Sequence, residues 1–227
     1  MLLLMKKNPD VLVFILLAIV LVAVPQIDLW VSGLFYTAQD GFFLDKNPLV
    51  QFSYIVFKAM PMVVIPLLLV GIMLSYFAKR FQSQKKPLIY LLVLLLLGPG
   101  LLVHTVFKDN WDRARPRNIE YFGGDKIFTP PFVISDQCEK NCSFVSGHAA
   151  MGFFFMALAF AYRKRRLLWA GIIAGALVGL GRIVQGGHFF SDIIFAGFFV
   201  YFSCRLIAIP FFGSSYLPTL SKKDQNT

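Results

Sequence analysis

Residues 182–192 read R-I-V-Q-G-G-H-F-F-S-D and interrupt two apolar runs with an arginine, a histidine and an aspartate. Charged side chains at membrane depth are costly, so an interruption of this kind is a candidate functional site. His188 and Asp192 are four residues apart, and on a helix they would face the same way. By itself, the segment is also consistent with a structural ion pair at a short turn.

Two other polar segments also lie at the end of an apolar run. Residues 108–116 read K-D-N-W-D-R-A-R-P, and residues 144–148 read F-V-S-G-H. Alone, the first would be an interfacial cluster of cations, and the second a helix start with its N-cap. Together with residues 182–192 they place cations, histidines and a carboxylate on one predicted face of the protein, which favours a shared site.

The composition indicates an integral membrane protein. The 227 residues are 57% hydrophobic and 15% charged, which is too apolar for an ordinary soluble domain. We therefore predict a single domain over residues 1–227, embedded in a lipid bilayer. The net charge of +10 could indicate nucleic-acid binding, but the basic residues fall in short clusters between apolar runs, a pattern typical of membrane topology. No nucleic-acid partner is expected.

Six apolar segments predict an all-α integral membrane bundle of six transmembrane helices. With their flanks, segments of this length can cross a bilayer core of about 30 Å. The predicted spans cover residues 11–24, the central part of 49–77, 87–107, 146–162, 167–181 and 189–209. Residues 27–48 mix aromatic and acidic side chains. They predict an interfacial helix and turn after the first span, or alternatively a loop that carries interfacial aromatic residues.

The basic clusters predict the orientation of these spans. They lie at the N-terminus, at residues 79–86, at 163–166 and at 222–223, which are alternate connections if there are six spans. The positive-inside rule places these connections and both termini in the cytoplasm. The three polar segments then lie together on the opposite, outer side of the membrane.

The cysteines and histidines bear on disulfide formation and metal binding. Cys138 and Cys142 lie in the long polar connection of residues 108–145, where an oxidising compartment would permit a disulfide; two free thiols are the alternative. Cys204 and His104 are expected to pack inside their spans. With three scattered histidines and no paired carboxylates at helical spacing, the sequence predicts no metal site.

The residue types in the three polar segments suit phosphate binding. A phosphate group is bound by cations and N–H donors, and arginine is favoured for its planar fork. Lys108, Arg115 and Arg182 supply three cations. Ser146 and Gly147 open the fourth predicted span, where the backbone N–H groups of a helix N-terminus form a ready anion site.

Transfer of a phosphoryl group also requires a nucleophile and a proton donor for the leaving oxygen. Asp192 could hold one ring nitrogen of His188 and leave the other free to attack phosphorus, as in a catalytic triad. His148 would then lie across the phosphate and protonate the leaving group.

These segments resemble the three-part signature of the type 2 phosphatidic acid phosphatase superfamily. The signature K-x6-R-P, P-S-G-H and S-R-x5-H-x3-D is matched in spacing by Lys108, Arg115 and Pro116, by Ser146, Gly147 and His148, and by Arg182, His188 and Asp192. Val145 stands where the family has Pro. Gly181 stands where the family has Ser, which removes one hydroxyl contact to phosphate. The signature region spans residues 108–192.

The resemblance implies a lipid phosphatase that needs no metal or other cofactor. It implies that His188 forms a phosphohistidine with Asp192 as its partner, and that His148 is the acid for the leaving group and then the base for water. The phosphate-binding residues that it implies are Lys108, Arg115, Ser146, Gly147 and Arg182.

A site at the membrane surface implies a phosphorylated membrane lipid as the substrate. The resemblance to bacterial members of the family implies lipid A, undecaprenyl diphosphate or phosphatidylglycerol phosphate at the periplasmic face of an inner membrane. Among these, the C-x3-C-S-F-V-S-G-H form of residues 138–148 resembles the members that act on lipid A most. Residues 117–142 are expected to select the head group. Two other functions stay open, namely a lipid-to-lipid phosphotransferase that uses the same histidine and a lipid-binding or transport protein without activity. The residues do not specify an oligomeric state.

Overall fold

A computed structural model describes residues 8–108 and 110–213, except for the side chain of His104. The basic N-terminal residues, the 222–223 cluster and the expected packing of His104 therefore lie outside the described part. The helices in chain order are α1 (Pro9–Ala23), α2 (Gln26–Gly33), α3 (Pro48–Phe77), α4 (Lys85–Leu95), α5 (Gly147–Phe153), α6 (Ala157–Tyr162), α7 (Arg165–Val184) and α8 (Phe190–Phe212).

Shorter elements connect these helices. Helix α4 continues directly into a π-helical segment that contains Pro99, a residue without an N–H group to donate. This segment is Leu96–Lys108, and 3₁₀ turns cover Lys79–Gln84, Pro116–Asn118, Glu120–Phe122 and Phe154–Met156. A hairpin between α2 and α3 is formed by strands β1 (Tyr36–Thr37) and β2 (Gly41–Phe42).

The predicted fold class, an all-α membrane bundle, is confirmed. Within residues 8–108 and 110–213, four helical stretches are long and apolar enough to cross a membrane, namely Pro48–Phe77, Lys79–Lys108, Arg165–Val184 and Phe190–Phe212. Helices α1 and α2 meet at a bend of 82° and form a fifth candidate span if they are counted together. The helical stretch Gly147–Tyr162 is apolar but shorter. The number of six spans therefore stays a prediction.

Helix α3 exposes most of its apolar surface. In its most apolar window only 6% of the residues are buried inside the protein. Leu49, Met62 and Phe77 are among the large apolar side chains exposed along it. An apolar surface of this extent marks a membrane or protein contact, and on a helix of 30 residues it is consistent with a face toward lipid.

Glycines bring α5 and α7 into close antiparallel contact. A side chain at Gly175 would collide with the ring of Phe153, and one at Gly171 would collide with the backbone of Met156. Small residues allow helix backbones in membranes to approach closely. The contact places the start of α5 beside the end of α7, where two of the polar segments lie.

The segment after α1 forms a helix and a hairpin, in agreement with the predicted helix and turn. In the hairpin, Tyr36 pairs with Phe42. The ring of Phe42 occupies the space that a side chain at Gly186 would need, and Gly186 has a φ of +60° that also favours glycine. The hairpin therefore rests on the turn between α7 and α8. Its position relative to a membrane surface stays a prediction.

Candidate active site

The structure brings the three polar segments together at one end of the bundle. The backbone N–H of Ser146 donates to the carbonyl of Asp192 at 3.3 Å, which joins the start of α5 to the start of α8. All eight residues predicted for catalysis or phosphate binding belong to these segments. The buried ones are Lys108, Ser146, Gly147, Arg182, His188 and Asp192, and the partly buried ones are Arg115 and His148.

His188 lies in the turn before α8 and is held by a backbone carbonyl. Its Nδ1 is 2.7 Å from the carbonyl oxygen of Ser143. Because a carbonyl can only accept, Nδ1 must carry the ring proton, and Nε2 then carries the lone pair. Among the described residues, Nε2 of His188 has no hydrogen-bond partner. In this tautomer the lone pair of Nε2 is available to attack a substrate.

The surroundings of His188 also keep its ring neutral. Burial lowers the pKa of His188 well below its ordinary value, and the positive charges of Arg115, Arg182 and Lys108 lower it further. The imidazole is therefore unprotonated at neutral pH, with its lone pair available. The three predicted phosphate-binding cations are therefore close enough to this ring to act on it electrostatically.

The predicted hydrogen bond between Asp192 and His188 is not formed. Oδ2 of Asp192 lies 3.7 Å from Nδ1 of His188, which allows electrostatic attraction but is too long for a hydrogen bond. Oδ2 instead accepts from the Ser143 hydroxyl at 2.5 Å and from the backbone N–H of Phe189 at 2.8 Å. The difference arises because α8 begins only at Phe190, so His188 precedes the helix and the i, i+4 geometry does not apply.

Arg113 and Asp28 complete a buried network that sequence reasoning missed. Arg113 is fully buried and donates to Asp192 at 2.7 Å and to Asp28 at 2.8 Å. Asp28 also accepts from the backbone N–H of Ser191 at 2.8 Å and from its hydroxyl at 2.6 Å. Asp28 could have been found as a carboxylate among the apolar residues of α2. Arg113 and Ser143 occupy positions that the signature leaves unspecified, so the motif gave no signal for them.

Tyr54 on α3 is a further missed residue, and its ring contacts two predicted site residues. The guanidinium carbon of Arg182 is 4.7 Å from the centre of the Tyr54 ring, and the ring of His148 stacks on the same tyrosine at 4.7 Å with an angle of 18°. The guanidinium of Arg182 also donates to the side chain of Gln185. A side chain at Gly187 would collide with this guanidinium, so the glycine leaves the space that the Arg182 side chain occupies. The apolar sequence around Tyr54 did not single it out.

Arg115 is held by the loop that contains Cys138 and Cys142. Its Nε and Nη2 donate to the carbonyl of Asn141 at 3.0 and 2.5 Å. A disulfide joins Cys138 to Cys142, and Asn141 lies inside the ring that it closes. Burial and the nearby charge of Arg117 lower the pKa of Arg115.

Ser146 is the N-cap of α5. Its Oγ accepts from the backbone N–H of Ala149 at 3.3 Å, so the N-cap interpretation is correct for this residue. The hydroxyl hydrogen is not used in that bond and stays able to donate. Gly181 departs from the signature, in which a serine stands at this position. The hydroxyl of Ser53 lies 4.0 Å from the position that a Cβ at Gly181 would occupy. Ser53 on α3 therefore supplies a hydroxyl close to the place where the family's serine would have one.

No metal-ligand cluster was found in the described part of the chain. Within residues 8–108 and 110–213, no group of three or more His, Cys, Asp or Glu side chains is arranged to hold a metal ion. Catalysis without a metal stays a prediction.

The geometry defines an integral membrane protein with a neutral histidine close to several cations, and comparisons with known proteins show its family. The model of the PAP2 superfamily matches residues 86–212. The chain is 43% identical over 196 residues to a lipid A 4'-phosphatase from Francisella tularensis subsp. novicida (strain U112), covering 81% of this chain and 85% of that protein. It is 37% identical over 123 residues to a lipid A 4'-phosphatase from Rhizobium leguminosarum, covering 53% of this chain and 51% of that protein. No solved structure matches the chain significantly.

The chain belongs to the PAP2 superfamily, because the family model covers more than half of it and the first relative matches most of both proteins. It is a phosphoric ester hydrolase, a membrane lipid phosphatase of that superfamily. The resemblance drawn from the three polar segments is therefore confirmed at the level of the family.

Proposed function

We propose that the protein removes the 4'-phosphate monoester of lipid A, with His188 as the nucleophile. The two relatives named lipid A 4'-phosphatase support this substrate. The observation that carries the assignment of the nucleophile is the geometry of His188, whose Nδ1 is held by a backbone carbonyl while its Nε2 has no partner among the described residues.

The reaction proceeds in two halves. Nε2 of His188 attacks phosphorus, the ester P–O bond breaks, and protonated His148 gives its proton to the departing sugar oxygen. The phosphoryl group is then bonded to Nε2. In the second half His148 takes a proton from water, the water oxygen attacks phosphorus, and the P–N bond breaks with its electron pair returning to Nε2. Inorganic phosphate leaves, and both histidines have regained their starting protonation states.

The other residues bind the phosphoryl group or stabilise charge. Lys108, Arg115 and Arg182 balance the negative charge on the phosphoryl oxygens during transfer. The free hydroxyl hydrogen of Ser146 donates to one of these oxygens, and Gly147 permits their close approach to the helix start. These roles agree with the cations and donors that a phosphoryl group requires.

Asp192 stabilises the ring of His188 without bonding to it. Phosphorylation at Nε2 makes the imidazole positively charged. Its Nδ1–H stays on the carbonyl of Ser143, and the carboxylate of Asp192 at 3.7 Å favours the positive charge. Ser143 thus connects the two residues, because its hydroxyl donates to the same carboxylate.

We place the site at the periplasmic face of the bacterial inner membrane, with both termini in the cytoplasm. The support is the clustering of Lys and Arg in alternate connections together with the positive-inside rule. A cysteine introduced in place of Lys126, on the loop between Arg115 and Ser146, should then react with a membrane-impermeant maleimide in intact spheroplasts. One introduced in place of Arg80 should react only after permeabilisation.

The function is tested by phosphate release from detergent-purified protein. We expect release from lipid A to exceed release from undecaprenyl diphosphate, phosphatidylglycerol phosphate and phosphatidic acid, to continue in EDTA, and to be lost in His188→Ala. Preference for another lipid would contradict the substrate, and loss of activity in EDTA would contradict the mechanism. Disappearance of lipid phosphate without free phosphate, with label in a second lipid, would indicate phosphotransfer instead.

A further inference from the structure

A separate cleft opens beside the active site, between the β1–β2 hairpin and the loop that follows Arg115. Its volume is about 600 Å³, which lies in the range of ligand pockets. Seven of its lining residues carry the following argument, namely Tyr36, Asp40, Phe43, Asp45, Lys46, Arg117 and Gln185. None of the seven was assigned to catalysis or to binding of the scissile phosphate.

The cleft and the phosphate site share a wall. Gln185 lines the cleft, and its side chain accepts a hydrogen bond from Arg182 in the phosphate site. On the same wall, the backbone N–H of Arg117 donates to the carbonyl of Gly186 at 3.1 Å, two residues before His188. A substrate whose phosphate lies at His188 would therefore hold the neighbouring part of its head group close to the edge of the cleft.

The lining suits an anionic sugar. Lys46 and Arg117 are exposed cations that can pair with an anionic group such as a phosphate. The cleft also contains two carboxylates, those of Asp45 and of Asp40 on the hairpin, which can accept from sugar hydroxyls. Tyr36 and Phe43 add aromatic surface, and Phe43 is 47% exposed, so part of that surface is open to a ligand. A hydrocarbon chain alone would leave these charged groups without a partner.

We infer that this cleft binds the sugar head group of the substrate, with Lys46 and Arg117 holding an anionic group on the sugar unit remote from the scissile phosphate. This assignment rests on the proposed function and adds the residues that select the head group. It also extends the predicted selectivity region. Residues 117–142 contribute Arg117 and Phe122, but the hairpin and the residues just after it contribute most of the lining.

The experiment compares three substrates in detergent. They are lipid A with both phosphates, lipid A that retains only its 4'-phosphate, and phosphatidic acid, which has no sugar. The variants are Lys46→Gln and Arg117→Gln, singly and combined, and the matched control is Lys126→Gln. Lys126 is a partly exposed cation of the neighbouring loop that pairs with Asp125 at 3.5 Å and does not line the cleft.

The double variant should raise KM for lipid A with both phosphates about tenfold, as expected for the loss of charge-assisted contacts. KM for the two other substrates should change much less, so the preference for the second phosphate should fall, while Lys126→Gln should keep the wild-type preference. A similar loss on all three substrates, or an unchanged preference, would overturn the assignment of the cleft. Because both side chains are exposed, thermal unfolding should confirm that the variants are folded.

Failure of the proposed function gives a different result. Wild-type protein that releases phosphate from phosphatidic acid but from neither form of lipid A would overturn the substrate itself, whatever the variants do. Wild-type protein that acts on lipid A, with a double variant of unchanged preference, would overturn only the cleft.

Discussion

The guanidinium of Arg113 lies 2.7 Å from Oδ1 of Asp192, and neither side chain has any exposed surface. The same guanidinium bonds Asp28 on α2 at 2.8 Å. One cation therefore joins the helix that follows α1 to the carboxylate beside His188. Because buried charges are stable only when they are paired, this network fixes the position of Asp192 and ties the active site to the first helices of the chain.

We expect Arg113→Ala to destabilise the protein strongly, because two buried carboxylates would lose their shared cation. Removal of one partner from a buried ion pair costs about 3–5 kcal/mol in free energy of unfolding. Activity should fall with it, since Asp192 would no longer be held. Thermal unfolding in detergent and phosphate release measure the two effects.

Two further variants separate charge from geometry at this position. Arg113→Lys keeps the charge but cannot bond both carboxylates through a planar fork, so it should recover stability only in part. Arg113→Met combined with Asp28→Asn removes one charge of each sign and should be more stable than Arg113→Ala. If Arg113→Ala unfolds at the wild-type temperature, the network has no structural role.

His188 should make stability depend on pH. An unfolded histidine takes up a proton below about pH 6.5, whereas buried His188 resists protonation because its pKa is lowered. As the pH falls below about 6.5, the unfolded state binds more protons, and the free energy of unfolding decreases by up to about 1.4 kcal/mol per pH unit. The measurement is the unfolding temperature between pH 7.5 and 5, with His188→Asn as the control. Equal pH slopes for the two proteins would refute this contribution.

We expect Gly187→Ala to impair the phosphate site. The added methyl group would collide with the guanidinium of Arg182, which must then leave its place over Tyr54. A drop in kcat/KM of at least tenfold should follow from the misplaced cation. Gly181→Ala is a matched control, since the nearest atom to its new methyl group is the Ser53 hydroxyl at 4.0 Å. Comparable loss in both variants would argue against this explanation.

The disulfide should act on substrate binding through Arg115. Replacing Cys138 and Cys142 with serine frees the ring that holds the Asn141 carbonyl, the acceptor of Nε and Nη2 of Arg115. Weakening a hydrogen bond of about 1 kcal/mol should raise KM about fivefold. Reductant should raise KM of the wild-type protein and leave the double variant unchanged. The reaction of Cys138 and Cys142 with a maleimide would show that the disulfide has been reduced. If KM of the wild-type protein is unchanged under those conditions, the disulfide does not act on substrate binding.

The sequence predicted the membrane bundle well because apolar length is a direct signal of a span. It was less informative where a span is bent or short. The count of six transmembrane helices stays a prediction, because α1 and α2 meet at a bend of 82° and the stretch Gly147–Tyr162 is short. Length alone does not decide whether such segments cross a bilayer.

The site was predictable where residues belong to the signature and unpredictable where they only support it. The spacing of Lys108, Arg182 and His188 identified the cations and the nucleophile candidate. Tyr54 and Arg113 reach the site from other elements through the fold, so no local pattern reveals them. The helical spacing of His188 and Asp192 suggested a direct bond that the structure replaces with Ser143.

The central claim is that His188 carries the phosphoryl group, and rapid quenching with lipid A labelled at its 4'-phosphate tests it most directly. We predict label covalently bound to the protein, stable in alkali and released by acid, mapped to His188 by peptide analysis and absent from His188→Ala. In His148→Ala the acid for the leaving group is missing, so this variant needs a substrate with a good leaving group. The label should then accumulate on the protein, because the base that activates water is also missing. Full turnover with no protein-bound label at any quench time, in wild type and in His148→Ala, would contradict the account.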